Sequence, residues 1–159
     1  MKLFKQLADL LFGSTDKPVD KSAVQDMAEE RVDKVANFNK IAPQLFGPQL
    51  KELGYELQDI KNSEHNGFFW STHHIYENRN LNLTVDIQQA PYYTDYGFSI
   101  FLFHRERQDS KLLCNVPHEL QDREDKFVKG MRDRFFSHPD VISLLKGETW
   151  KTINHLRND

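Results

Sequence analysis

The middle of the chain shows the clearest hydrophobic pattern. Between Leu81 and Ile87 every second residue is apolar, and polar residues occupy the positions between them. Strict alternation over this length predicts a β-strand with one buried and one solvated face. Residues 98–104 are aromatic and β-branched enough to predict another strand, and further strands are predicted at 55–61, 68–76 and 111–116, which lie next to polar, turn-rich stretches. Because short connections require antiparallel pairing, we expect a four- to five-stranded antiparallel meander sheet over about residues 55–116.

The pairing register decides which of two consecutive histidines is buried. A four-residue hairpin loop at 77–80 would place Tyr76 opposite Leu81. The buried face would then include Phe68, Trp70, Thr72, His74 and Tyr76. A slip of one residue would instead bury Phe69, Ser71, His73 and Ile75. The first register buries more aromatic area, so it is the one predicted.

The segments on either side of the predicted strands repeat apolar residues every three or four positions, which is typical of amphipathic helices. We expect an N-terminal amphipathic helix at 1–13, a linker at 14–20 and a single α+β domain at 21–159. Within that domain Pro43 is expected to kink or break the first long helix, because proline has no amide hydrogen to donate. A short helix would follow and end at Gly54.

The chain after the predicted strands is helical again. An apolar stripe from Leu120 to Phe135 predicts one helix, and two shorter helices are expected at 140–146 and 148–156. These C-terminal helices would pack on the sheet. Helices, a run of strands and helices again, in that order, predict an α+β fold.

Composition limits the classes of partner. The chain has 159 residues, a formal net charge of −3 and no basic stripe, so we expect no nucleic-acid partner. A single cysteine, Cys114, excludes an intrachain disulfide and suits a reducing compartment. No apolar run reaches the length of about 18 residues that a membrane span requires. We therefore expect a cytoplasmic protein without a membrane span. Its N-terminal helix could dock on the domain, join copies in a homo-oligomer, or present its apolar face to a partner or a membrane surface. The helix carries only two lysines, which favours docking or self-association.

Residues of the types that bind metals lie on neighbouring predicted strands: His73, His74, Glu77, Asp86 and His104. Three such groups could hold Zn²⁺ or Fe²⁺ with one open position. However, His73 and His74 are consecutive on a strand, so their side chains face opposite sides and cannot bind one ion. His73 could approach Asp86 diagonally on the solvated face, but no third ligand is assured. The sequence therefore predicts neither a metal site nor a cofactor.

No motif in the chain dictates an enzymatic reaction. The glycine patterns of phosphate and dinucleotide sites, the serine-nucleophile elbow and the zinc-binding helix motif do not occur. Cys114 and His118 are a thiol and an imidazole close in sequence, but Cys114 lies in an apolar segment where a small buried residue suffices. We therefore predict no catalytic residue and favour a protein that is not an enzyme.

The connection between the third and fourth predicted strands is rich in tyrosine. It contains Tyr92, Tyr93, Asp95 and Tyr96 between a proline and a glycine. Tyrosine offers a large contact area, little rotamer entropy and a hydroxyl group, and it is enriched at recognition surfaces. The alternative is that one or two of the rings cap the core. With two residues of the solvated face, His73 and Asp86, these four form the predicted binding surface.

The stretch from Phe38 to Leu113 contains a helix that leads into Leu53-Gly54-Tyr55, followed by aromatic strands around the Leu81–Ile87 alternation. In this pattern, which covers about half of the chain, it resembles small bacterial α+β proteins that serve as immunity partners in toxin systems. The resemblance includes no diagnostic motif and transfers no functional residue. It implies a cytosolic, non-enzymatic protein that binds and blocks another protein.

Two functions follow as hypotheses. The first is a protein-binding module, immunity-like, that uses the 91–97 connection and the solvated sheet face around His73, Thr84 and Asp86. The second is a small-molecule-binding or hydrolytic domain with a pocket between sheet and helices, near Trp70, His74 and His104. A deep pocket with a paired histidine favours the second, whereas a flat surface over a filled interior favours the first.

Overall fold

The computed structural model describes residues 21–65, 68–89, 98–116, 124–151, 153 and 156–157 of the chain. The chain divides into two compact units, residues 1–32 and 33–159. The described part of the first unit, residues 21–32, is helical, and the second unit contains every described strand. The predicted helix at 1–13 and the predicted linker at 14–20 lie outside the described residues.

The centre of the second unit is a sheet in which each strand pairs with the next one along the chain. Its strands are β1 (Glu56–His65), β2 (Phe68–Asn78), β3 (Leu83–Gln89), β4 (Phe98–His104), β5 (Asp109–Val116) and β6 (Leu156–Arg157). The first five pair antiparallel, which confirms the predicted meander and the α+β class. The two-residue β6 adds to β5 in parallel and was not predicted.

The predicted alternation sets the faces of the sheet. Leu83, Val85 and Ile87 are at most 2% exposed, while the residues between them are partly exposed. The hairpin loop between β2 and β3 comprises residues 79–82 rather than the predicted 77–80, so Tyr76 pairs with Val85 instead of Leu81. The partner of Tyr76 is thus four residues further along β3 than predicted. Because four is an even number, each side chain keeps its predicted face of the sheet. His74 is buried, as the preferred register requires.

The long helix α1 runs from Lys21 to Glu52 and includes Pro43 and Pro48. The predicted break at Pro43, with a separate short helix after it, is therefore wrong. A proline inside a helix costs about 3 kcal/mol. Burial of large apolar side chains contributes about 1.5–3 kcal/mol each and outweighs this cost. The buried side chains near the prolines are Phe38, Ala42, Leu45, Phe46 and Leu50.

The chain leaves α1 at Gly54, the residue at which the sequence predicts a helix end. Gly54 has a φ of 84°, a left-handed conformation that glycine adopts without strain. The Gly54 N–H donates to the Lys51 carbonyl at 2.9 Å, and the Tyr55 N–H donates to the Leu50 carbonyl at 2.9 Å. This pair of hydrogen bonds is a Schellman motif, which satisfies carbonyls at the end of the helix and turns the chain into β1.

Aromatic side chains join the helices to one face of the sheet. Phe98 of β4 contacts Phe38 and Phe46 of α1, with ring centroids 5.7 and 5.9 Å apart. Phe46 also contacts Phe135 at 6.1 Å. Phe135 belongs to α2 (Glu124–Ser137), which precedes the short α3 (Pro139–Leu145). The core therefore lies on the face of the sheet that carries Val85 and Ile87.

The C-terminal segment differs from its prediction. Residues 148–151 are not helical and Leu156–Arg157 forms β6, so the helix predicted at 148–156 is wrong. The spacing of Trp150, Ile153 and Leu156 fits a helix, but tertiary contacts decide the outcome. The Trp150 indole N–H donates to Asp109 Oδ2 at 2.7 Å, and the backbone at Leu156 pairs with β5. These contacts hold the segment along the sheet.

Candidate functional site

The face of the sheet opposite the core is the candidate site, and we call it the open face. None of the core side chains in the described part of the chain lies on it. The strand pairings place on it Ser71, His73, Ile75 and Glu77 of β2, Thr84, Asp86 and Gln88 of β3, and Ser99, Phe101 and Phe103 of β4.

An imidazole and a carboxylate pair in the middle of the open face. His73 lies opposite Gln88, and Asp86 lies opposite Ile75, so the two are diagonal neighbours on β2 and β3. His73 Nδ1 lies 2.9 Å from Asp86 Oδ2 and 3.1 Å from Asp86 Oδ1. Their side chains are 16% and 15% exposed. The diagonal approach suggested by the sequence is the arrangement found.

Two serines extend this pair into a chain of hydrogen bonds. Ser71 Oγ lies 2.6 Å from His73 Nε2, and Ser63 Oγ of β1 lies 2.5 Å from Ser71 Oγ. An ionised Asp86 can only accept, so His73 Nδ1–H donates to it. When His73 Nε2 carries no proton, Ser71 Oγ donates to Nε2 and Ser63 Oγ donates to Ser71 Oγ. In that arrangement the His73 ring is held in one tautomer, with its proton on Nδ1.

Sequence reasoning missed Ser63 and Ser71. The signal that could have found Ser71 is its position two residues before His73, which places both side chains on one face of β2. Ser63 could not be found in this way, because its place opposite Ser71 depends on the pairing of β1 with β2.

The order of Ser71, His73 and Asp86 is that of a nucleophilic serine with its base and orienting acid. Acyl transfer also requires donors aimed at the developing oxyanion. Around His73 the backbone pairs with β1 on one side and β3 on the other, so its amides are engaged in the sheet ladder. Ser71 is only 4% exposed. The geometry therefore fits a rigid polar centre better than a catalytic one.

Apolar side chains lie next to this polar centre. Phe101 pairs with Asp86 across β3 and β4, and Phe103 is two residues further along β4. The two rings have centroids 6.1 Å apart, and Phe103 is 39% exposed. Ile75 is half-buried on the adjacent strand. Of these three side chains Phe103 is exposed, whereas Phe101 and Ile75 are partly buried, so Phe103 is the apolar group that this part of the face offers to a partner.

The opposite side of β2 carries a different histidine environment. His74 is fully buried, and its Nε2 lies 2.9 Å from Asn39 Oδ1, which also accepts a hydrogen bond from Thr72 Oγ1 at 3.1 Å. The ring contacts Phe38 edge-on at 5.0 Å. Burial lowers the pKa of His74 to about 4, against a smaller opposing effect of Asp86. His74 is therefore neutral at pH 7 and joins α1 to the sheet.

The residues predicted for the alternative pocket are not brought together. His74 pairs with Ile87 and His104 pairs with Leu83, four residues further along β3. At about 3.3 Å per residue, the two histidines are about 13 Å apart along the strands alone. The backbone of Trp70 lies in β2.

His104 belongs to a separate cluster at the β4–β5 turn. Its ring meets Trp150 edge-on at 5.1 Å, and the ammonium of Lys111 lies 5.3 Å from the Trp150 ring centroid. The Trp150 indole and the Lys111 ammonium, 3.0 Å away, both donate to Asp109 Oδ2. These bonds lower the pKa of Asp109 to about 2. The cluster fixes the C-terminal segment to β5.

The remaining predicted residues fall into two groups. Cys114 is fully buried, and burial raises the pKa of its thiol to about 12, which leaves it unreactive at pH 7. His118 and the tyrosine-rich residues Tyr92, Tyr93, Asp95 and Tyr96 lie outside the described residues. Over the part that the structure describes, no three His, Cys, Asp or Glu side chains gather in a way that could hold a metal ion.

No helix in the described ranges is both long enough and apolar enough to span a membrane. No protein-family model, curated protein or solved structure significantly matches this chain.

Proposed function

We propose that this protein acts by binding another protein through the open face. The observation that supports this most directly is the exposed Phe103 beside Phe101, next to the ordered His73–Asp86 pair. Apolar contact area around a few fixed polar groups is typical of recognition surfaces. The opposite face is filled by the core, which leaves no comparable site there among the described residues.

The polar centre of the open face is suited to specific recognition. His73 is fixed by bonds on both ring nitrogens, so little side-chain entropy is lost when a partner binds. Asp86 keeps acceptor capacity on its carboxylate beyond the bond from His73. A partner that presents an arginine or lysine beside an apolar side chain would match both Asp86 and Phe103.

The tyrosine-rich residues 92–96 belong to the same proposal. In sequence they join β3 to β4, the two strands that carry Asp86 and Phe101. The resemblance to immunity proteins supports a partner that is inhibited on binding, in the cytoplasm of a bacterium. A toxin encoded beside this chain is the specific partner that this reasoning proposes.

The proposal can be tested by comparing two alanine variants in capture experiments from the native cell. Phe103→Ala removes an exposed ring from the open face. Leu57→Ala is the matched control, because it removes a similarly exposed apolar side chain, 42% against 39%, from β1. We expect Phe103→Ala to weaken capture of the partner about tenfold or more, with little change in melting temperature, because central aromatic residues dominate binding energy. Leu57→Ala should retain capture. If both variants capture the same proteins as the wild type, the open face is not the binding surface.

Hydrolysis is the second candidate, and the order Ser71–His73–Asp86 is the observation that favours it. A fluorophosphonate probe, which reacts with activated serines, distinguishes the two functions. We expect no labelling of the native protein, since Ser71 is buried and lacks a described oxyanion donor. Labelling that is lost in both Ser71→Ala and His73→Gln would instead show a nucleophilic serine and favour the hydrolase.

A further inference from the structure

The first strand of the sheet is exposed along almost its whole length. In the described part of the sheet β1 pairs with β2 on one side only. Residues 56–62 and Glu64 are all exposed, including Leu57 at 42% and Ile60 at 44%. An edge strand presents unpaired N–H and C=O groups, which are a template for another strand. Such edges are normally protected by charges and bulges, and β1 has both.

The charged residues of β1 disfavour most ways of pairing this strand with a second copy of itself. In an antiparallel pair of identical strands related by a two-fold axis perpendicular to the sheet, one residue faces its own copy. With Lys61 or Asp59 at the axis, like charges face each other, which is unfavourable. With Asn62 at the axis, Ile60 faces Glu64. With Gln58 at the axis, Leu57 faces Asp59.

One register differs from all of these. With Ile60 at the axis, Ile60 faces the partner's Ile60, and Asp59 faces the partner's Lys61 twice, once on each side of the axis. Gln58 then faces Asn62, so that two amides oppose each other. Opposite charges and apolar pairs directly across two strands each stabilise the pairing. From Gln58 to Asn62 the sequence is therefore complementary to itself, whereas Glu56 and Glu64, which face each other in the same count, lie at or beyond the two bulges.

The faces of β1 agree with this register. Asp59 pairs with Ile75 and Lys61 pairs with His73, so both charged side chains belong to the open-face side of the sheet. Ile60 pairs with His74 and belongs to the core side, where it is nevertheless 44% exposed. Dimerisation would bury this exposed isoleucine on one side of the sheet and form two ion pairs on the other.

We propose that two copies of this chain associate through β1 in this register, forming one continuous sheet across a two-fold axis at Ile60. The bulges at Leu57–Asp59 and Ser63–Glu64 limit the regular contact to a few residues around the axis. The interface is accordingly small, and the dimer is expected to depend on protein concentration. Because the contact is isologous, it closes after two copies and does not extend into a fibre.

The test measures the oligomeric state of the full chain by light scattering and sedimentation over about a hundredfold range of concentration. Lys61→Asp and Asp59→Lys each convert two attractive pairs into two repulsive ones. We expect each to weaken dimerisation by about tenfold or more. The double variant with both changes restores opposite charges across the axis, and we expect it to dimerise like the wild type.

Two further variants serve as controls. Lys146→Asp changes the net charge as Lys61→Asp does, but at an exposed position after α3, and should leave the dimer intact. Leu7→Asp disrupts the apolar side of the predicted N-terminal helix and should also leave it intact. Circular dichroism and melting curves confirm that every variant is folded.

Four results would overturn the proposal. They are a wild type that stays monomeric at every concentration, single charge variants that dimerise normally, a double variant that does not recover, and a dimer that Leu7→Asp dissociates. The recovery of the double variant is the most specific expected result, because only this register places residue 59 opposite residue 61.

Discussion

Acid is expected to destabilise this protein through His74. The imidazole is fully buried, and its Nε2–H donates to Asn39 Oδ1, while its Nδ1 has no hydrogen-bond partner among the described residues. A second proton would have to be placed on that buried nitrogen. Burial therefore lowers the pKa of His74 from the ordinary 6.5 to about 4.

The sign and size of the effect follow from the two protonation states. Between pH 6.5 and about 4 the unfolded chain binds a proton at His74 and the folded chain does not, so stability falls as the pH is lowered. Above pH 6.5 neither state binds it, and below about pH 4 both do. Each pH unit in this window corresponds to about 1.4 kcal/mol, which gives a total loss of about 3 kcal/mol.

The assay compares free energies of unfolding in urea across this window for three proteins. His74→Gln keeps an amide that can donate to Asn39 but removes the titrating group, so its stability should depend less steeply on pH than that of the wild type. His73→Gln is the matched control, because it removes the neighbouring histidine from the open face and leaves His74 in place. The reasoning about His74 is refuted if the wild type and His74→Gln lose stability in parallel between pH 6.5 and 4.

Three other predictions concern single contacts, each checked by urea unfolding unless stated. Tyr55→Phe should lower the free energy of unfolding by about 1 kcal/mol, because the buried hydroxyl donates to the Leu145 carbonyl at 2.8 Å; no change would contradict this. Gly54→Ala should lower it by about 1 kcal/mol or more, because φ at Gly54 is 84°, and an equally stable variant would argue against that conformation. Trp150→Phe removes the indole donor, so NMR titration should show the pKa of Asp109 rising above about 2; an unchanged value would exclude the Trp150 bond as its cause.

The features that the sequence predicts correctly depend on local patterns. The alternation around Val85 identifies a strand and its buried side, and this holds even though the hairpin loop lies two residues away from its predicted place. Gly54 marks the end of α1, because its backbone freedom is a property of the residue itself. Pro43 misleads, because its local cost is smaller than the burial of Phe46 and Leu50 around it.

The features that the sequence does not predict depend on which strands become neighbours. The spacing of Trp150 and Leu156 fits a helix, but the bond to Asp109 and the pairing with β5 require knowledge of the sheet. In the same way, Ser63 joins the His73 network only because β1 pairs with β2 in one register. Of the four residues of the polar centre, only Ser63 therefore lacks a signal in the sequence.

The strand β2 divides the chemistry of the molecule between its two faces. His74 lies in the interior, where it is neutral and joins α1 to the sheet, whereas His73 is paired with Asp86 on the open face. Substitutions on the core side of β2 should therefore change stability first. Substitutions on its other side disturb the His73–Asp86 network, and the proposed function predicts that they also change binding. The same division places the two adjacent imidazoles on opposite faces of the sheet, so they cannot bind one ion together.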